Sequence, residues 1–135
     1  MAITLTKPAL DAGIVTNDGA VALRFYRDLL GLPEAGEVNF PGLGVIKRLQ
    51  VGESILRIVI LEQPAAQLAS TDGFAAQTGL RYLTLTIANL HEVVAAVQAA
   101  GYPVPTPPRE LRPGTWVAQI EDGLGTAVEL MQTTA

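Results

Sequence analysis

Apolar and polar positions along the chain predict the same succession of elements twice. The short apolar run Ala12–Thr16 is typical of a buried strand. After it, Val21, Phe25 and Leu29 recur every four residues, which indicates the buried face of a helix. A second apolar run, residues 83–87, begins about seventy residues later and again precedes a helical pattern. The chain therefore predicts two similar modules.

Helix boundaries repeat at nearly constant spacing. Asn17 or Asp18 can cap the first helix, and Asn89 with Glu92 has the spacing of a capping box for the second. Asp18 and Asn89 are 71 positions apart. The apolar stripe of the second helix consists of Val93, Val94, Val97 and Ala100. Each helix is expected to end at a glycine followed by a proline: Gly31 and Pro33, Gly101 and Pro103.

The rest of the chain has strand patterns. Residues 34–61 resemble a strand meander interrupted by glycines, and residues 55–61 are its strongest strand because they are rich in β-branched side chains. Residues 103–114 hold five prolines, which predicts an edge strand or a semi-rigid loop. Residues 116–120 and 127–131 are two further predicted strands. This pattern predicts an α+β fold with curved sheets.

The length of 135 residues predicts a single domain, 1–135. We place the first module at about 9–62 and the second at about 79–132. Residues 63–78 form the connection and are expected to be partly helical. An internal duplication of this kind predicts that the modules share one core, with a site between them.

Composition restricts the classes of partner. Apolar residues make up 49% of the chain and charged residues 16%, which excludes disorder. The net charge of −4 and the scattered Lys and Arg exclude nucleic acid as a partner. Cysteine is absent, and no signal-peptide pattern or membrane-spanning apolar run is visible, so we expect a cytoplasmic protein with no membrane partner. The surplus of aliphatic residues over what a small monomer can bury predicts a homodimer.

Three segments together resemble the vicinal oxygen chelate superfamily. They are residues 25–32 (Phe-Tyr-Arg-Asp-Leu-Leu-Gly-Leu), 83–101, and 122–130 (Asp-Gly-Leu-Gly-Thr-Ala-Val-Glu-Leu). The last segment is similar to the acidic turn of that family, which is followed by a strand carrying a Glu. The superfamily includes glyoxalase I, extradiol dioxygenases, methylmalonyl-CoA epimerase, and fosfomycin and bleomycin resistance proteins. The resemblance implies two βαβββ modules that form a cup-shaped, glyoxalase-like curved sheet, commonly in a dimer.

The resemblance also identifies the positions where metal-dependent members hold their cation. They fall on Asp11, Tyr82, Glu129 and Arg57, although a shift of register would select Ile58 instead of Arg57, and a position on the same face of the strand would also allow Val59. Arginine offers only donors, and tyrosine is a poor ligand. The single histidine, His91, is expected on the protein surface, away from these positions. We therefore predict a site without a metal or another cofactor.

The same residues can handle a small organic ligand. Arg57 could anchor a carboxylate or an enolate-like oxygen with its planar fork. Asp11 or Glu129 could transfer a proton if burial raises its pKa, and Tyr82 could donate to a developing oxyanion. The alternative is a structural ion pair between Arg57 and a carboxylate.

The sequence leaves two alternatives open for the roles of several further residues around the predicted pocket. Trp116 could flank the pocket or pack in the core, and Arg48 could line the rim as a ligand contact. Arg109 and Arg112 could belong to a mobile segment over the pocket or to a solvated loop.

These residues predict a metal-independent, glyoxalase-like enzyme of lyase, isomerase or cyclase type that acts on a small molecule by acid/base chemistry. Two alternatives remain open. One is a non-catalytic protein that sequesters a ligand, as antibiotic-resistance proteins do. The other is a lyase or dioxygenase that depends on a divalent metal.

Overall fold

The computed structural model describes residues 1–134, and the chain divides into two compact units, Met1–Ala66 and Gln67–Ala135. Each unit contains one βαβββ module with a four-stranded mixed sheet. The predicted α+β class with two such modules is therefore confirmed.

Unit 1 contains β1 (Ala12–Thr16), α1 (Gly19–Leu23) with a π-helical continuation (Arg24–Leu29), β2 (Glu34–Phe40), β3 (Gly44–Val51) and β4 (Ser54–Leu61). Its strand order is β1-β4-β3-β2. β1 pairs with β4 in parallel, and the remaining pairs are antiparallel. A parallel pair needs a crossover connection, and α1 lies in that crossover.

Unit 2 contains a 3₁₀ turn (Phe74–Ala76), β5 (Tyr82–Thr86), α2 (Leu90–Ala99), β6 (Thr106–Arg112), β7 (Thr115–Glu121) and β8 (Ala127–Thr133). Its strand order, β5-β8-β7-β6, repeats the order of unit 1, and β5 pairs with β8 in parallel. The proline-rich segment is β6, an edge strand that pairs with β7 on one side. An edge strand tolerates proline because one row of its N–H groups needs no partner.

The first helix differs from the sequence prediction in its second half. The Leu30 N–H donates to the Phe25 carbonyl at 2.9 Å, which is the five-residue spacing of a π-helix. The wider turn brings Phe25 and Tyr26 into the core together, with ring centroids 4.8 Å apart in an edge-to-face contact. Val21 and Leu29, predicted as core residues, are only partly buried. The prediction that one face of this helix is buried at regular four-residue spacing was therefore wrong.

The start of α2 also differs from the prediction. The Asn89 side chain accepts no hydrogen bond from a backbone N–H of the first turn; its amide donates instead to the Glu92 carboxylate at 3.1 Å. The Leu90 N–H is satisfied by the side-chain oxygen of Gln132 on β8, at 2.8 Å. The predicted capping box was wrong because a neighbouring strand supplies the acceptor that the helix needs.

Each sheet has one face against its helix and one face that carries polar side chains. The core of unit 2 on the helix side combines residues of α2, β7 and β8: Leu90, Val94, Val97, Ala118, Ile120, Val128 and Leu130. Because side chains alternate along a strand, residues between these positions project from the other face. Arg48, Arg57, Tyr82 and Glu129 lie on those opposite faces, whereas Trp116 lies on the helix side.

Within residues 1–134, no helix has the length and apolar character that crossing a membrane requires.

Candidate functional site

Strand register places Arg57 and Glu129 at equivalent positions of the two modules. Arg57 pairs across the parallel strands with Gly13, and Glu129 pairs with Thr84. Gly13 lies two residues after Asp11, just as Thr84 lies two residues after Tyr82. The register therefore selects Arg57 rather than its neighbours as the counterpart of Glu129.

In unit 1, Asp11 and Arg57 form an ion pair with a distance of 3.3 Å between Oδ2 and Nη1. Lys7 donates to both carboxylate oxygens of Asp11, at 2.8 and 3.0 Å, and the Ile55 N–H donates to Oδ1 at 2.8 Å. The hydrogen bonds from Lys7 and from the Ile55 N–H, with a smaller contribution from Arg57, lower the pKa of Asp11 to about 2. Burial does not raise this pKa above its ordinary value, so Asp11 does not meet the condition for a proton shuttle at neutral pH. It is an ionised acceptor that holds cations.

Arg48 lies directly opposite Arg57 on the adjacent antiparallel strand. Directly opposed residues project from the same face of a sheet, so the two guanidinium groups share one face. Arg48 is half-buried, and its Nη1 donates to the Ala35 carbonyl at 3.4 Å. Among residues 1–134, Arg48 forms no salt bridge.

In unit 2, Glu129 lines a cavity of about 220 Å³. The Thr84 hydroxyl, on the neighbouring strand, donates to its Oε1 at 3.1 Å. Gln119 lies directly opposite Glu129 on β7, on the same face. The lining residues are Phe74, Tyr82, Thr106, Arg109, Val117, Ala118, Gln119 and Glu129. The cavity thus combines one carboxylate, one guanidinium, neutral polar groups and an apolar wall.

Tyr82 stands at the edge of this cavity, with its ring in edge-to-face contact with Phe74 at a centroid distance of 5.6 Å. A wider depression of about 520 Å³ continues from the two rings along residues 75–81. The Arg81 guanidinium fixes this segment, because it donates to the carbonyls of Ser70 and Gly125 at 3.1 and 3.0 Å. The segment before β5 is therefore tied to the turn that precedes β8.

Trp116 lies on the other face of β7. It alternates with Val117, which lines the cavity, and its ring contacts His91 at 4.8 Å between centroids. This position supports the packing alternative for Trp116 against the role of a pocket residue. His91 is exposed, at the start of α2, in agreement with the expectation of a surface residue.

Sequence reasoning missed several cavity residues. Thr84 and Gln119 are side chains directly opposite Glu129, and a correct strand register would have identified both. Arg109 lines the cavity from β6, although the prolines around it suggested a gating segment or a loop. Phe74 lies in the connection between modules, where the sequence offers no signal for a ligand contact.

The family positions do not fit a divalent cation. Both oxygens of Asp11 already accept hydrogen bonds from cations, and Arg57 occupies the fourth position with donors only. Throughout residues 1–134, no group of three or more His, Cys, Asp or Glu side chains could hold a metal. A single remaining carboxylate, Glu129, is too few ligands for a stable site.

Comparison with known proteins agrees with the fold and with the sequence resemblance. The family description "Glyoxalase/Bleomycin resistance protein/Dioxygenase superfamily" matches residues 9–130. The chain therefore belongs to this superfamily, and the predicted family is confirmed. A search among curated proteins finds no match.

Solved structures share the fold at low sequence identity. A glyoxalase family protein from Bacillus cereus is 16% identical, with a TM-score of 0.80 over 98% of this chain and 100% of that one. The lactoylglutathione lyase of Agrobacterium tumefaciens is 19% identical, with a TM-score of 0.65 over 95% and 96% of the two chains. A fosfomycin resistance protein from Listeria monocytogenes is 13% identical, with a TM-score of 0.68 over 96% and 94%. At these identities the likeness is one of fold.

Proposed function

We propose that this protein is a small-molecule enzyme of the glyoxalase superfamily that works by proton transfer without a metal, with Glu129 as the acid/base group. The observation that carries the proposal is the position of Glu129 in the cavity of unit 2. The Thr84 hydroxyl orients one oxygen of this carboxylate. Among residues 1–134, no group donates to the other oxygen, Oε2, so it is available to a ligand proton.

The chemistry follows from the groups around that oxygen. Glu129 takes a proton from a carbon next to a carbonyl group. The electron pair of the C–H bond forms a C=C bond, and the π electrons of the carbonyl group move to its oxygen, which becomes an enolate oxyanion. Tyr82 and Arg109 line the same cavity and supply donors for the oxyanion that forms. Return of the proton to another atom completes an isomerisation, and departure of a leaving group completes a lyase reaction.

Two other predicted site residues, Asp11 and Arg57 of unit 1, have no part in this proton transfer. Asp11 stays ionised at neutral pH because its pKa is about 2, so it orients the Arg57 guanidinium instead of transferring protons. Arg57, with a side chain 38% exposed, keeps donors accessible to a ligand oxygen.

The test is hydrogen–deuterium exchange, which needs no knowledge of the natural substrate. Small aldehydes, hydroxyketones and α-keto acids are incubated with the protein in D₂O, and loss of the α-proton signal is followed by NMR. We expect Glu129→Gln to slow exchange by about 10²-fold or more, the usual contribution of a general base. Glu110→Gln is the matched control, because Glu110 pairs with Trp116 and so lies on the other face of unit 2. Equal exchange in both variants, or wild-type exchange no faster than buffer, would contradict the proposal.

A ligand-sequestering protein is the second candidate, favoured by the aromatic pair Phe74 and Tyr82 beside the open depression. Aromatic faces next to a carboxylate suit an apolar or cationic compound. Stoichiometric binding followed by recovery of the unchanged compound, with no exchange of any probe, would favour this function over the enzyme.

A further inference from the structure

Two arginines on neighbouring strands of unit 1 form a like-charged pair in the middle of its sheet. Arg48 and Arg57 are direct cross-strand partners, and like charges in that position destabilise a sheet. Asp11 offsets part of this repulsion through its ion pair with Arg57, but the same carboxylate also holds Lys7. Lys7 and Arg57 thus share one carboxylate, and within residues 1–134 no carboxylate pairs with Arg48.

Two other cations of unit 1 are neutralised by their own partners, whereas Arg24 is exposed on the helix and forms no salt bridge within residues 1–134. Lys47, next to Arg48 in the sequence and on the other side of β3, bonds Glu37 at 2.6 Å. Arg27 contacts two carboxylates, those of Asp28 and Glu34, at 2.7 and 2.9 Å. Among the strands of unit 1, the positive charge without a full counter-charge therefore lies on the face that carries Arg48 and Arg57, in a chain whose net charge is −4.

Aliphatic side chains adjoin the two guanidinium groups on this face. Ile46 and Val59 are cross-strand partners two positions further along β3 and β4, and Val15 pairs with Val59 from β1. Val15 is 62% exposed, so an apolar contact surface remains open beside the charges. A ligand on this face would contact two guanidinium groups, which offer N–H donors, and the aliphatic side chains beside them.

We propose that this face binds a small aliphatic dicarboxylate, and that Arg48 selects dianions over monoanions. The inference goes beyond the proposed function, because it concerns the anion that unit 1 binds and does not depend on proton transfer by Glu129. Arg57, oriented by Asp11, binds one carboxylate. Arg48 binds the second, since a planar guanidinium matches a carboxylate with two parallel hydrogen bonds. The carbon chain between them lies against the aliphatic row.

The experiment compares succinate with butyrate, two probes of four carbons that differ by one carboxylate. Calorimetric titrations are made at about pH 7, where the carboxylates are ionised, and at constant ionic strength. We expect the wild-type protein to bind succinate about tenfold or more tightly than butyrate, the value of one additional charge-assisted hydrogen-bonded pair.

Four variants locate the effect. Arg48→Gln is expected to lose about tenfold in succinate affinity, while its butyrate affinity changes little. Arg48→Lys should have a succinate affinity between those of Arg48→Gln and the wild type, because lysine keeps the positive charge but lacks the planar guanidinium group. Arg57→Gln should weaken both probes. Arg24→Gln removes the same charge from an exposed helix position and should change neither.

Several results would overturn the proposal: no binding of either probe, equal affinity for the two probes in the wild type, or equal losses in Arg48→Gln and Arg24→Gln. Tighter binding of inorganic phosphate than of succinate would also overturn it, since a phosphate site would then be indicated. The readout is affinity and not turnover, so Glu129→Gln should keep the preference for succinate. Failure of anion selectivity and failure of proton transfer are therefore separate results.

Discussion

The Asp11 carboxylate receives hydrogen bonds from Lys7, from the Ile55 N–H and from Arg57, and these neighbours determine what it can do. A carboxylate that is stabilised in its ionised form holds protons weakly, which suits a group that orients a cation. Glu129 occupies a different environment, with a single neutral donor at one oxygen. Two carboxylates that the sequence predicts as equivalent proton-transfer candidates therefore lie in different hydrogen-bonding environments.

The lowered pKa of Asp11 makes its contribution to stability depend on pH. Its folded-state pKa is about 2, against 3.8 for an ordinary Asp, so the folded state binds this proton more weakly than the unfolded state does. The stabilisation is complete above 3.8 and is lost as pH falls toward 2. We expect Asp11→Asn to lower the urea midpoint of unfolding at neutral pH, with a difference from the wild type that shrinks between these two values.

Asp72→Asn is the control for this measurement, because Asp72 is exposed and forms no salt bridge within residues 1–134. This substitution removes the same charge as Asp11→Asn but breaks no salt bridge. A constant difference between Asp11→Asn and the wild type across the acid range would show that Asp11 stabilises the fold by something other than its ionised form.

At the scale of elements, the close pairing between the start of β3 and the end of β4 depends on a glycine. Gly44 begins β3 with φ at +145°, and a Cβ at this position would fall on the backbone carbonyl oxygen of Ile60. Backbone of β4 cannot move aside as a side chain could. We expect Gly44→Ala to destabilise the protein by about 3 kcal/mol, from left-handed strain together with overpacking.

Gly13→Ala is the matched control for that substitution. Gly13 lies in β1 of the same sheet, its φ is not positive, and a Cβ there would meet no atom within 4 Å. Chemical denaturation should place this variant within about 0.5 kcal/mol of the wild type, as for other substitutions without a structural conflict. Equal destabilisation by the two alanines would contradict the role assigned to the close approach at Gly44.

The sequence predicted the helices and strands whose formation depends on the local pattern of apolar and turn residues. The strands β1, β4, β5, β7 and β8 follow apolar runs bounded by turn residues, and the edge position of β6 follows from its prolines. The π-helical turn and the cap of α2 were not predictable, because each depends on tertiary packing: the contact of Phe25 with Tyr26 in the core, and Gln132 on β8. An ion pair between Arg57 and a carboxylate was predicted as an alternative, although the sequence did not identify Asp11 as the partner, whereas Thr84 and Gln119 needed the strand register.

At the scale of the whole molecule, charge and apolar surface are unevenly distributed. The chain is acidic, with a pI near 4.8, so the cationic face of unit 1 attracts an anion locally against the net charge. Large apolar side chains are also exposed in both units, among them Leu10, Val15, Phe40 and Leu80. Exposed aliphatic and aromatic groups of this size favour association with a second copy.

We therefore expect a homodimer in solution, held by apolar contacts. Sedimentation velocity at micromolar concentration should give a mass twice that of the 14.2 kDa chain. Because salt screens ion pairs and leaves apolar burial intact, the dimer should persist when ionic strength is raised to about 1 M. An association that weakens steadily with salt would indicate that ion pairs hold the copies together instead. A species of single-chain mass at every concentration would mean that the exposed apolar side chains serve ligand contact and not assembly.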